Sequence, residues 1–341
     1  DISLREKEKE IQKDLDDGID TIGKKMTVCQ LYAKQIRHRG NVRYNTKNGR
    51  KRLMKLLEED KLGGCPIDSV KLSDAKEWAI RMKEKGISYK TISNDKRSLK
   101  AAFYTAIQDD CIRKNPFDFQ LNTVIEDDTE PKVPLTPAQE ESFLSFAQND
   151  KVYQKYYDEL IILLGTGLRI SELCGLTDTD IDFENRIINV DHQLLRSAKT
   201  GYYIETPKTK SGIRQIPMSE KVYEAFNRVL KRRRGAKAVT IDGYSNFLFL
   251  NRDGYPKTAT NYDGMFRGHA KKYNKYHEEA LPKVMTPHTL RHTFCTNMAN
   301  AGMNPKALQY ITGHSNITMT LNYYAHATFD SAKAEMLRIA A

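Results

Sequence analysis

Gly165-Thr166-Gly167-Leu168-Arg169-Ile170-Ser171-Glu172-Leu173 is the stretch on which the fold turns. The apolar run Leu160 to Leu164 ahead of it reads as a buried helix. Gly165 and Gly167 interrupt that run. Arg169 then opens a second helix, whose Ile170, Leu173 and Leu176 recur at helical spacing. A guanidinium placed at such a break can hold a phosphate through paired N–H bonds. The Gly-Lys-Ser/Thr ending of a nucleotide-binding phosphate loop is missing, so these glycines punctuate helices instead. An ordinary ion-paired arginine would fit the same stretch, and other segments must decide between the readings.

Upstream, the chain reads as helical. Residues 1–25 form a charged segment, rich in Lys, Arg and Glu. From Thr27, Val28, Leu31, Tyr32 and Ile36 make one helical stripe. A basic run follows, Arg37 to Lys55, broken by Gly40 and Asn45-Thr46. Ser73 suits an N-cap for a helix striped by Ala75, Trp78, Ala79 and Met82, and Gly86 ends it. Another helix runs from about Tyr89 to Asp110, with Ile92, Leu99, Phe103 and Ile107 inward. The acidic, proline-bearing stretch 126–135 reads as a linker.

Downstream, Thr136-Pro137, Thr286-Pro287 and Asn304-Pro305 repeat one device, a capping residue followed by proline at the first helical position. Between them Ile187–Val190, Tyr202–Thr206 and Arg214–Met218 read as three short strands. The expected class is mainly α with a small antiparallel β-sheet (α+β), in an all-helical unit at 26–125 and a mixed unit at 136–327. At roughly 150 residues per domain, 341 residues allow two such units.

Fifty-five basic against 44 acidic residues leave a formal charge of +11, which favours a polyanionic partner, most simply nucleic acid. The five cysteines are widely spaced and odd in number, against a disulfide framework or a zinc site and in keeping with a reducing cytoplasm. No apolar run is long enough to span a membrane, and no secretory leader precedes the first helix. The chain begins at Asp1, as a processed or shortened chain would.

Three more segments carry chemistry. His288-Thr289-Leu290-Arg291-His292 puts His288, Arg291 and His292 on one side of a helix near its N-terminus, a favourable place for an anion. Gly313-His314 stands shortly before Tyr323-Tyr324, and Lys208 and Lys210 sit in the turn between two strands. Each has a plain alternative: a core histidine, a packed tyrosine, a solvated lysine.

Taken in order, GTGLRISELCGL, TPKTKSGIRQIP, TPHTLRHTFCTNMANAGM and GHSNITMTLNYYAH resemble the boxes of the tyrosine recombinase (phage integrase) family, most nearly conjugative transposon integrases of the Tn916/Tn1549 type. The resemblance covers about residues 27–327. It implies a SAM-like, core-DNA-binding helical domain at 26–125 and a tyrosine recombinase catalytic domain at 136–327. Residues 328–341, with Phe329, Ala332, Met336 and Ile339 at helical spacing, would be a C-terminal helix packed on its own domain or exchanged with a neighbouring protomer. Integrases of this type carry a further arm-binding domain, which would lie before Asp1.

The resemblance also implies the chemistry: metal-independent site-specific recombination through a 3′-phosphotyrosyl intermediate, without a cofactor. It assigns Arg169, Arg291 and His314 to the phosphate, His288 to proton transfer or the same oxygens, and Lys208 to the leaving group, with Lys210 its rival. Tyr324 is assigned as the nucleophile on the Tyr-x-His ending, and Tyr323 is the alternative. Arg43, Lys47, Arg50, Arg52, Lys90, Lys96, Arg97 and Lys100 would contact DNA phosphates in a clamp. The partners implied are duplex DNA at element ends and target sites, further protomers (a dimer on one site, a tetramer in the synapse), an excisionase and host DNA-bending proteins. A cytoplasmic, nucleoid-associated bacterial location would follow. A type IB topoisomerase shares the tyrosine and arginine chemistry but would not join two duplexes.

Overall fold

The computed structural model describes residues 9, 12, 23–40, 42–130, 133–207, 209–233, 239–277, 280–324 and 336–337. The chain divides between Glu130 and Pro131 into two compact units.

In the first unit four helices enclose one core: α1 (Val28–His38), α2 (Tyr44–Glu58), α3 (Leu72–Glu84) and α4 (Tyr89–Gln108). Thr27 caps α1: its hydroxyl accepts from the Gln30 N–H at 3.2 Å, and the Gln30 side chain accepts from the Thr27 N–H at 2.9 Å. Trp78 and Phe103 pack against Phe117, with ring centroids 5.8 and 5.4 Å away, and fill the centre. The start of α3 corrects the sequence expectation. Ser73 is not its cap; the helix begins at Leu72, and the Asp74 carboxylate accepts the Lys71 N–H at 2.8 Å. An acid three residues in can satisfy an orphan amide without a hydroxyl before it. Two ion pairs brace the bundle. Arg52 of α2 donates to both oxygens of the buried Asp95 on α4, at 2.5 and 2.7 Å, and Arg81 pairs with Asp60 at 2.7 and 2.8 Å.

The second unit contains α5 (Pro137–Asn149), α6 (Tyr157–Thr166), α7 (Ile170–Gly175), α8 (Glu220–Arg233), α9 (Ala259–Tyr276), α10 (Pro287–Asn300), α11 (Pro305–Thr312) and α12 (Ile317–Leu321). The three capping-residue and proline pairs do open α5, α10 and α11. α6 is the hub, packed by α8 and α10. At Gly165 an added Cβ would lie 2.4 Å from Val222 of α8, so glycine is what lets the two helices approach.

The strands number five among the described residues, not three: β1 (Ile181–Asp182), β2 (Ile187–Val190), β3 (Gln193–Ser197), β4 (Gly201–Glu205) and β5 (Arg214–Pro217). They make two sheets, antiparallel β1-β2-β5 and a separate β3-β4 hairpin. Sequence reading missed β1 because it is two residues long. It missed β3, Gln-Leu-Leu-Arg-Ser, because that stretch has no β-branched residue and no strict alternation. Most of the expected C-terminal helix and of the charged segment 1–25 lies outside the described residues; Met336 and Leu337 are helical and exposed. Among the described residues no helix is long and apolar enough to cross a membrane.

His269 of α9 is fully buried against the rings of Phe143, Phe146 and Tyr153, with centroids 4.3, 5.0 and 5.0 Å away. Burial pushes its pKa down to about 4. Between about 6.5, the ordinary imidazole value, and that depressed value, the unfolded chain binds a proton that the folded chain refuses, so stability falls as pH falls through this window. His269→Phe removes that loss. Its melting temperature should gain on the parent's as pH is lowered from neutrality towards 5, and thermal denaturation at several pH values measures the margin. A margin independent of pH would contradict a neutral buried ring.

Candidate active site

Four segments of the second unit converge on one cluster of charge. Gly167, left-handed at φ 62°, ends α6 and turns the chain so that Arg169 becomes the N-cap of α7. Glu172, three residues on, accepts from the Arg169 backbone N–H at 2.9 Å and from its Nη1 at 2.7 Å. Arg214 enters from β5 with its side chain wholly buried; its Nη1 and Nη2 donate to Glu172 Oε1 and Oε2 at 3.1 and 2.9 Å. Arg291 enters from α10, also buried, and donates to the carbonyls of Gly167 at 2.5 Å and Thr312 at 2.6 Å. Arg169 reaches the Gly313 carbonyl at 3.0 Å. Of the three guanidiniums only Arg169 has substantial solvent contact, at 38% exposure.

The turn after α11 completes the cluster. Gly313, at φ 65°, aims the following His314 inward, where its Nδ1 lies 3.0 Å from the Thr320 hydroxyl of α12. Burial, and after it the charges of Arg291, Arg169 and Arg214, bring His314 down to about 4, so its ring is neutral near pH 7. Burial likewise lowers Arg291 to about 10, with Arg169 adding to the effect, and it stays protonated at neutrality. Burial pushes Glu172 the other way, but the hydrogen bonds and charge of Arg214, with Arg169, more than offset it and hold the carboxyl below its usual range. His288 is exposed on the first turn of α10, close enough that its charge bears on His314. Lys208 lies outside the described residues; Lys210 is exposed in the short turn Lys210–Gly212.

The two tyrosines part company. Tyr323 stacks parallel to His314, centroids 6.3 Å apart, and meets His292 edge-on at 4.9 Å. Burial pushes its hydroxyl up to about 12, Cys295 adds to that, and Arg291 pulls the other way. Tyr324 instead donates its hydroxyl to the Met303 carbonyl at 2.5 Å. The geometry therefore brings Arg169, Arg291, His314 and Tyr323 together. Tyr324, the tyrosine assigned from sequence, follows in the turn after α12 and has its hydroxyl committed to the chain between α10 and α11.

The residues expected at DNA all belong to the first unit, and their environments differ. Arg52 is paired with Asp95. Lys96 donates to the Phe119 carbonyl at 2.5 Å and lies over the Phe119 ring. Lys100 pairs with Asp118 at 2.5 Å, and Arg50 donates to the Arg39 carbonyl at 3.1 Å. Lys47, Lys90 and Arg97 are exposed, and Arg43 is partly buried. Arg39, Arg50 and Arg52 line a polar cavity of about 530 Å³ between α1, α2 and α4 that Asn94 and Asp95 close.

Residues 134–331 match the Phage integrase family. The chain belongs to that family. It is 68% identical to the transposase from transposon Tn916 of Enterococcus faecalis over 338 residues, 99% of this chain and 83% of that one. It is 27% identical to a XerC-like tyrosine recombinase of Caldanaerobacter subterraneus over 79% of its length and 71% of that chain. A structure of the Tn1549 transposon integrase in complex with a circular intermediate DNA superposes with a TM-score of 0.87 and 78% identity, covering 92% of this chain and 99% of that one. A lambda integrase dimer bound to a core site, at 16% identity and a TM-score of 0.59 over 87% of this chain and 76% of that one, shares the fold.

Sequence reading overlooked two members of the cluster, Glu172 and Arg214. Signals for both were present. Glu172 sits three residues after the N-cap, where an acid closes a capping box. Arg214 takes an inward position in β5, on the same face as Ile216 and opposite Val190, and alternates with exposed residues, which is the faint signal of a buried charge. Among the described residues one His/Asp group has metal-like spacing, Asp180, Asp191 and His192. Both His192 nitrogens are engaged, by Asp191 at 2.5 Å and by the Gly175 carbonyl at 2.8 Å.

A Cβ on Gly313 would lie 2.9 Å from the Ser211 carbonyl oxygen and 3.2 Å from Arg214, in a backbone conformation that L-residues resist. Gly313→Ala should cost about 1–3 kcal/mol in stability, read as a lower denaturation midpoint. A neutral effect would mean that the turn before His314 can relax.

Proposed function

We propose that this chain is a site-specific DNA recombinase that cuts and rejoins the ends of a mobile element through a tyrosine ester. The observation that carries the reading is the convergence of Arg169, Arg291, His314 and Tyr323, with Arg169 held by Glu172 and the Gly313 carbonyl and Arg291 by the Thr312 carbonyl. The relatives support the substrate: the Tn1549 integrase is seen with a circular intermediate DNA and, as a tyrosine-to-phenylalanine variant, with transposon right end DNA.

The phenolic oxygen attacks the phosphorus of a DNA phosphodiester. The O–P bond forms as the bond to the 5′-oxygen breaks, leaving a 3′-phosphotyrosyl ester and a 5′-hydroxyl. Arg169 and Arg291 neutralise the charge gathering on the non-bridging oxygens, and neutral His314 donates a hydrogen bond to them. His288, exposed at the rim, takes the phenolic proton. Lys208, or Lys210 in its place, gives a proton to the departing 5′-oxygen. Guanidinium and imidazole supply the charge stabilisation, so no step requires a metal ion.

We assign the nucleophile to Tyr323 in place of Tyr324. Its ring stacks on His314 inside the cluster, with its hydroxyl at Cys295, whereas the Tyr324 hydroxyl donates to the Met303 carbonyl. The ester conserves the energy of the broken bond, so each exchange runs both ways. Direction must come from outside the site, which is the place for an excisionase and DNA-bending proteins. Joining two duplexes requires a cut on each of four strands, which fits a dimer on one site and a tetramer in the synapse.

Trapping the covalent complex on a nicked recombination site and mapping the modified peptide tests the assignment. Tyr323→Phe should abolish the adduct while binding DNA normally. Tyr324→Phe should still form it, at a cost in stability of about 1 kcal/mol for the lost hydrogen bond. An adduct on Tyr324 would reverse the assignment.

For DNA binding by the helical unit, the exposed Lys47, Lys90 and Arg97 serve as phosphate contacts, with Arg43 beside them. Arg52, Lys96 and Lys100 already neutralise or cap protein groups. Lys90→Ala and Arg97→Ala should each lower the slope of log affinity against log salt by about 1. Arg52→Ala should instead destabilise the unit by about 1–3 kcal/mol, because Asp95 would lose its partner. Binding measured over a salt series separates the two effects, and an unchanged slope in both surface variants would remove those side chains from the interface.

A further inference from the structure

Arg214 lies behind the cluster and is shielded from solvent, yet it holds three of the segments around it. Nη1 and Nη2 hold both oxygens of Glu172 at the start of α7. Nε donates to the Ile311 carbonyl at 2.6 Å, at the end of α11, and Nη1 also donates to the Gly212 carbonyl at 3.0 Å, in the turn that carries Lys210. A Cβ added at Gly313 would come within 3.2 Å of the Arg214 Cδ and Nη1. One side chain therefore ties the Arg169 helix, the lysine turn and the histidine turn to a single point.

We propose that Arg214 is a positioning residue for the cleavage step. It acts through Glu172 on Arg169 and through the Ile311 carbonyl on the turn that presents His314, and it does not itself touch the phosphate. The chemistry follows from burial. A carboxylate as enclosed as Glu172 would ordinarily pick up a proton. The bidentate guanidinium keeps it charged and fixes its plane. A charged Glu172 of fixed orientation accepts from both the backbone N–H and Nη1 of Arg169, which fixes that guanidinium together with its Nη2 bond to the Gly313 carbonyl. A protonated Glu172 would lose its hold on Nη1, and Arg169 would wander.

This inference rests on the phosphoryl-transfer reading above, and the experiment keeps the two apart. Single-turnover cleavage of a nicked recombination site is followed for the parent, Arg214→Lys and Arg214→Met, with DNA affinity and melting temperature measured alongside. If the parent forms no covalent adduct, the functional reading fails. If it does, Arg214→Met should cleave about 100-fold more slowly, the loss expected when a reacting group shifts by about 1 Å. Its DNA affinity should stay within about twofold of the parent's, since phosphate contacts remain.

Two readouts exclude a merely structural role. The deficit should shrink as pH rises, because alkali ionises Glu172 without help from Arg214; a structural defect would give a deficit independent of pH. Arg214→Lys, which restores the charge but not the fork, should fall between the two. Adding Glu172→Gln to Arg214→Met should bring little further loss, since both act on Arg169 by one route. Parent-like cleavage by Arg214→Met would overturn the proposal. So would a deficit that is flat in pH and untouched by lysine.

Discussion

Three guanidinium groups drawn from three separate elements repel one another, and one buried carboxylate makes their assembly tolerable. Glu172 accepts from Arg169 and Arg214 at once, with every polar atom engaged at hydrogen-bond distance. Burying such a carboxylate alone would be costly, and a pair with good geometry offsets that cost only when the remaining donors and acceptors are filled. Here backbone carbonyls fill them: Gly167, Ile311, Thr312 and Gly313 each receive a guanidinium N–H. The two glycines in that set also hold left-handed turns, so the chain reversals that expose these carbonyls are the ones that end α6 and α11.

Burial then sets the protonation states. His314 is neutral and Tyr323 keeps its proton, both chiefly through loss of water. Arg291 remains a cation despite its enclosure. The site therefore holds positive charge, a neutral donor and a protonated phenol. That combination is suited to a substrate that arrives as an anion and gathers more charge as it reacts.

Much of this was legible in the sequence. The capping prolines marked three helix starts, and Gly167 marked the break that frees Arg169, whereas Gly165, read as a second break, lies inside α6. What escaped were features whose meaning depends on contacts far along the chain. Arg214 looks like any strand arginine until Glu172 is known to face it. β3 carries too little β-propensity to announce itself and is held by its register against β4. Tyr323 and Tyr324 differ by one position, and local pattern cannot say which of two adjacent rings meets His314; that depends on where α12 packs and on the reach of the second hydroxyl to Met303. The lysine and arginine run of the helical unit was visible as charge. Which of its members are spoken for depended on acids such as Asp95 and Asp118, more than forty and about twenty residues from their partners respectively.

The carbonyls around the cluster have one more effect. Each of Arg169 and Arg291 spends only part of its set of N–H donors on the protein, and a guanidinium has more to give. Arg169, the guanidinium open to solvent, can offer its spare donors to an incoming oxyanion while its bonds to Glu172 and Gly313 persist.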